Sequence, residues 1–217
     1  MMIRHHLADD LVVSYAAGAL AEGWSLVVAA HLALCPLCRR RCAIGDNIGG
    51  LLLEELAPDA PPEQSWEEVR ARLAGATPPV GARDGLAASR VGVPEPVKSY
   101  VRRDAGSRKW AAFGRRAYQI PIPTADGSTR ARLLRIPAGR SVPEHGHRGR
   151  ELTLVLSGNL CDDPAIFRRG DILDADEALT HKPVAGVGAD CICLVVTDAP
   201  LRFRSRLIRL VQPLLGI

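Results

Sequence analysis

At 217 residues, with 47% hydrophobic and 24% charged side chains, the chain is too apolar for disorder and long enough for one generous domain or two small ones. A net charge of +4 is too small to imply nucleic-acid binding by itself. The most apolar stretch, residues 11–34, is interrupted by Glu22, Gly23 and His31 before it reaches the roughly 20 apolar residues of a membrane span. No charged-then-apolar signal peptide opens the chain, so the six cysteines read as thiols or metal ligands in a reducing compartment and a cytoplasmic location is expected.

Residues 1–56 are rich in Ala, Leu and Val at helical spacing, which predicts successive helices with Tyr15, Leu20, Trp24, Val27 and Val28 on buried faces. Within them, HLALCPLCRR places His31, Cys35 and Cys38 at spacings of four and three. Zinc accepts imidazole and thiolate in a tetrahedron, and such a run supplies three ligands while a distant residue closes the site. Pro36 suits the first position of a helix, so Cys35 is expected at its cap and Cys38 in its first turn, where the helix dipole favours thiolate. His31 ends the preceding helix and faces them. The fourth ligand is expected from His5 or His6, with Cys42 a competitor that reads equally well as a small buried residue.

Residues 57–97 hold seven of the sixteen prolines, a linker signature containing one helical island. There Ser65 and Glu68 form a capping box, and Trp66, Val69 and Leu73 share a face expected to dock on the first domain. Residues 98–116 carry seven Lys or Arg against one Asp, interleaved with Tyr100, Trp110 and Phe113. A phosphate-tracking patch has this composition, but a solvated edge with buried aromatics accounts for it better, and no direct nucleic-acid binding is expected.

From about residue 98 the pattern changes to strand-length runs, among them 132–136, 152–156 and 191–197, separated by Gly, Pro and Asp; this predicts a β-sandwich or barrel. His145 and His147 are two apart and point to one face of a strand, Glu151 opens the next strand, and His181 follows a turn at Gly170 and Asp171. Together they make a set of three imidazoles and a carboxylate. The order and spacing resemble the first motif of the cupin superfamily, which implies a small β-barrel binding Zn, Mn, Fe or Ni through those four residues. The second motif departs from the usual pattern at Asp176, Ala178 and Ala185, which leaves the enzyme class open. Cys191 and Cys193 share a face of one strand about 6.5–7 Å apart, near or beyond the reach of an unstrained disulfide, and read as buried small hydrophobes; Cys161 is placed in a turn.

The combination of IRHHLADDLVVSYAAGALAE, LVVAAHLALCPLCR, PEHGHRGRELTLVLSG and DCICLVVTDAPLRF resembles the ChrR-type anti-sigma factors over nearly the whole chain. The resemblance implies an α+β protein: a small helical zinc-binding anti-sigma domain in residues 1–85, a Pro-rich linker in 86–97 and a cupin barrel in 98–217. It assigns the fourth zinc ligand to His6, giving His6, His31, Cys35 and Cys38, beside a barrel metal held by His145, His147, Glu151 and His181. It further implies a one-to-one complex with an extracytoplasmic-function sigma factor, held from core RNA polymerase and released when the barrel responds to singlet oxygen or related oxidants. Sequestration requires no catalytic residue. The competing reading is a metal-dependent cupin enzyme, dioxygenase-like or hydrolase-like, with an accessory zinc domain.

Overall fold

The computed structural model describes residues 2–60, 62, 65–75, 92–102, 110–113 and 117–203. Five helices precede or interleave with the barrel: α1 (Asp9–Ala16), α2 (Glu22–Leu34), α3 (Pro36–Glu54), α4 (Ser65–Gly75) and α5 (Glu95–Arg102). Asp9 and Asp10 in the first turn of α1 and Glu22 in that of α2 sit where the helix dipole favours negative charge. Helices α1 and α3 pack on each other and on α2, which is hydrophobic nearly all round and buries Leu26, Val27, Val28 and Ala30.

The barrel runs β1 (Ala111–Phe113), β2 (Ala117–Ile122), β3 (Arg130–Ile136), β4 (His145–Gly146), β5 (Glu151–Ser157) and β6 (Asn159–Asp162). It continues with β7 (Ala165–Arg168), β8 (Ile172–Ala175), β9 (Thr180–His181), β10 (Val184–Ala185), β11 (Cys191–Thr197) and β12 (Arg202–Phe203). All pairings are antiparallel, in sheets ordered β1-β2-β3-β11-β5-β8, β10-β6-β7 and β12-β4-β9. The expected strands at 132–136, 152–156 and 191–197 are the centres of β3, β5 and β11.

These central strands lack the alternation of a half-exposed sheet because both their faces are covered. On β5, Leu152, Leu154 and Leu156 join the core shared with the helices, while Val155 points into the barrel. On β11, Leu194 and Val196 face the helices, while Cys191, Cys193 and Val195 face inward. Helix α2 lies across β11 and β5, so helices and barrel close on one continuous apolar layer. Gly23 is the close-approach point: its amide donates to Thr129 Oγ1 at 3.2 Å, and a Cβ there would stand 2.4 Å from that oxygen.

Three local expectations are corrected. Helix α4 forms, yet Trp66, Val69 and Leu73 are exposed and do not dock on the first helices; regular apolar spacing shows that a face wants cover and leaves open whose. The end of the expected linker is helical instead, because Pro94 and Pro96 suit a helix start: α5 begins at Glu95, packs on α2 and buries Val97 completely, while residues 86–91 lie outside the described residues. Cys161 lies on β6 opposite Ile166 and Val184 rather than in a turn. Most of the basic run, residues 103–109 and 114–116, is also outside the described residues; of its aromatics Phe113 is buried and Tyr100 and Trp110 are half-buried.

Candidate metal centres

The first cluster forms where three backbone segments meet. Helix α2 carries His31 in its last turn, and Cys35 caps α3, its Sγ accepting from the Cys38 amide at 3.5 Å with Pro36 in the first turn. His6 arrives on the extended N-terminal segment, its Nδ1 3.4 Å from Cys35 Sγ and 3.6 Å from Cys38 Sγ. One ligand atom from each of His6, His31, Cys35 and Cys38 lies within 4.8 Å of all the others. Tetrahedral zinc with bonds of about 2.0–2.3 Å sets its ligand atoms roughly 3.3–3.8 Å apart, so a small inward adjustment suffices.

His31 supplies the test of fit. Its Nδ1 bonds the Gly170 carbonyl at 2.8 Å, while its Nε2 is buried with no hydrogen-bond partner. Such a nitrogen is costly to bury unless something takes its lone pair, and a donated Nδ1–H fixes the tautomer that leaves Nε2 basic. Burial pushes His31 down to about 4 against the opposing Gly170 carbonyl, which keeps it neutral and ready to ligate at pH 7. Burial raises the Cys38 thiol, and Arg41 Nη1 stands 3.5 Å from its sulfur as a positive partner. His5, left open beside His6, turns to the barrel: its ring packs on Phe167 at a tilt of 40°, centroids 4.3 Å apart, and its amide donates to Asp171. Cys42 is buried with its thiol directed to Asp46 and takes no part.

The second cluster lies inside the barrel. His145 from β4 and His181 from β9 are cross-strand partners, His147 follows β4, and Glu151 begins β5. The Nε2 of His181 is 3.1 Å from the Nε2 atoms of both His145 and His147, and the four ligand atoms lie within 4.8 Å of one another. Two of the three outer nitrogens are fixed: His145 Nδ1 bonds the Pro143 carbonyl at 2.8 Å and His181 Nδ1 bonds Asp162 at 2.7 Å. The inner nitrogens are thereby aimed at one point. Burial lowers His145 to about 3 and His147 to about 4, their histidine neighbours adding to the effect. Burial raises the Glu151 carboxyl against His181 and Arg132, with Thr153 donating to it at 3.3 Å. Three imidazoles and a carboxylate suit a divalent cation better than they suit one another.

Residues 100–200 match the family described as the ChrR cupin-like domain. Over 218 aligned residues the chain is 50% identical to the anti-sigma-E factor ChrR of Cereibacter sphaeroides, covering 100% of both proteins. The chain belongs to the ChrR family of anti-sigma factors. A chain in the crystal structure of Rhodobacter sphaeroides SigE in complex with the anti-sigma ChrR aligns with a TM-score of 0.75 and 46% identity, covering 91% of this chain and 100% of that one. The resemblance drawn from the sequence is thus borne out, as is the α+β class that joins N-terminal helices to a cupin-like barrel. Among the described residues no helix is long and apolar enough to cross a membrane.

All eight expected ligands fall in the two clusters, four to each. Sequence reasoning missed the residues that orient them: Asp162, the Pro143 carbonyl, Arg41 and the Gly170 carbonyl. None has a distinctive spacing. Only the Gly170–Asp171 turn had been marked, as a lead-in to His181.

Proposed function

We propose that this chain binds and sequesters an extracytoplasmic-function sigma factor, one to one, through its helical module. The observation that carries this reading is an apolar stripe left without cover among the described residues. Ile44, Ile48, Leu51, Leu52, Leu53 and Leu56, on or just past α3, are 55–68% exposed, and Trp66, Val69 and Leu73 of α4 stand open beside them in sequence. Monomeric proteins rarely leave so much contiguous apolar helix in water, and a partner helix or groove gives it cover. The solved relative is a complex with a sigma factor, which agrees in kind.

In this reading residues 1–85 form the anti-sigma module, 86–97 the junction and 98–217 the barrel, and the protein works in the cytoplasm without membrane or direct nucleic-acid contact. Zinc is held by His6, His31, Cys35 and Cys38; it ties the N-terminal segment, α2 and α3 into a bundle too thin to be stable unaided. A second ion, Zn or else Mn, Fe or Ni, is held by His145, His147, Glu151 and His181. The barrel serves as sensor of singlet oxygen or related oxidants, with Cys193 on the wall of the same interior as Glu151. A change there reaches the helices through α2, which lies on the strands that carry these residues.

In a transcription assay with core RNA polymerase and the sigma factor, the full chain is expected to inhibit, and Cys35→Ala or Cys38→Ala to lose zinc and inhibition together. Inhibition retained by a zinc-free variant would sink the structural role of zinc. His145→Ala or Glu151→Ala is expected to inhibit normally and fail only to release sigma under oxidant.

A further inference from the structure

Arg132 is used by neither metal cluster, and its position is unusual. It shares the inward face of β3 with Leu134 and Ile136 and is 5% exposed. In register it stands beside Val195, which stands beside Thr153. Its side chain lines a small cavity in the barrel interior with His145, Glu151 and Thr153. The guanidinium faces the Phe113 ring at 5.7 Å and feels the charge of Glu151, and no hydrogen bond or ion pair reaches it among the described residues.

A guanidinium keeps its proton inside proteins and carries a planar fork of donors. The fork opens onto the cavity without a protein acceptor, so its donors are free for whatever occupies that space, water or an anion. Glu151 is a poor candidate, since its oxygens face the three imidazoles and Thr153.

We infer that the barrel interior is a binding site for a small monocarboxylate, of formate to acetate size, whose two oxygens pair with the Arg132 guanidinium. The planar carboxylate matches the fork in two parallel hydrogen bonds, and a methyl-sized tail meets apolar wall at Phe113, Leu134 and Val195. The cavity is small, so it takes a group of a few heavy atoms and no bulky ligand. The inference is independent of sigma binding.

The test uses the full-length zinc-loaded protein, titrated with sodium formate and sodium acetate at constant ionic strength against chloride. Binding is followed by calorimetry and by the thermal midpoint. Wild type is expected to show saturable one-to-one binding and a rising midpoint. Arg132→Met weakens binding about ten-fold or more, whereas Arg135→Gln, on the opposite face of the same strand, leaves it unchanged. Absence of saturable binding in wild type, or equal binding by Arg132→Met, would overturn the site. Equal affinity for sulfate would overturn the choice of monocarboxylate. Should Arg132→Met not unfold cooperatively, Arg132→Lys replaces it; the charge without the fork is expected to bind more weakly than wild type, and unaltered affinity counts against the inference.

Discussion

His31 donates its Nδ1 proton to the carbonyl of Gly170 at 2.8 Å, so a member of the cysteine-bearing cluster is oriented by a turn of the barrel. Next to it, Asp171 accepts from the amides of Arg4 at 2.7 Å, His5 at 3.0 Å and Arg168 at 2.7 Å. The Ile172 amide answers with a bond to the His5 carbonyl at 3.1 Å. The segment that delivers His6 is therefore docked on the barrel, and the turn between β7 and β8 touches two of the four proposed zinc ligands through one or two bonds.

Gly170 permits this contact in two ways. Its φ of +91° is left-handed, and a Cβ would lie 2.5 Å from Ile3 Cδ1. Gly170→Ala is expected to destabilise the protein by about 1–3 kcal/mol and to weaken zinc retention, measured by thermal unfolding and by chelator competition. Unchanged zinc affinity would separate the turn from the metal site.

Asp171 gives a pH signature. Burial raises its carboxyl, but the amides of Arg168, His5 and Arg4 outweigh burial and hold it below the usual carboxylate range. A group depressed in the folded state contributes stability that is present above its unfolded value near 3.9 and is lost as pH falls through the folded value. Asp171→Asn is therefore expected to cost about 2–3 kcal/mol at pH 7 and progressively less below pH 4. Urea unfolding at pH 7 and at pH 3 checks the sign.

The seam between α2 and the barrel is tight at one place. A Cβ at Gly23 would meet Thr129 Oγ1 at 2.4 Å, Thr129 Cβ at 2.9 Å and Val196 Cγ1 at 3.1 Å, all on buried side chains. Helix propensity alone would make Gly23→Ala stabilising by up to ~1 kcal/mol. Overpacking at the seam reverses the sign, and a net loss of about 1–2 kcal/mol is expected by chemical denaturation.

Arg150 draws the same two parts together across their rim, reaching Asp10 of α1 at 2.5 Å and Asp174 of β8 at 2.6 Å. Its guanidinium is pushed above its ordinary value, first by Asp174 and then by Asp10. The bridge is part-exposed, so Asp10→Asn is expected to cost only about 0.5–1 kcal/mol and to cost less in 1 M salt.

Much of this was legible in the sequence, and the limits are instructive. Ligand residues announce themselves because coordination demands particular side chains at close local spacing, as at His31, Cys35 and Cys38 or at His145, His147 and Glu151. The central strands were legible as apolar runs. What did not show were relations between distant segments: nothing near Asp171 in sequence says that Arg4 and His5 bring it their amides, and nothing about Arg132 distinguishes it from the exposed Arg130 and the half-buried Arg135. The apolar face of α4 was read correctly as a face needing cover and wrongly as one covered by this chain. Periodicity carries no information about whether the covering surface belongs to the same molecule.

The central claim is most directly tested by purifying the full chain together with a cognate extracytoplasmic-function sigma factor and counting zinc in what elutes. Wild type is expected to give a one-to-one complex with zinc in the His6, His31, Cys35 and Cys38 cluster. The double variant Ile48→Asp, Leu52→Asp is expected to keep its zinc and unfold within about 0.5 kcal/mol of wild type, since both side chains already stand in water, yet to elute without sigma. A zinc-loaded, folded wild-type protein that ignores the sigma factor would contradict the account and return the barrel to consideration as an enzyme.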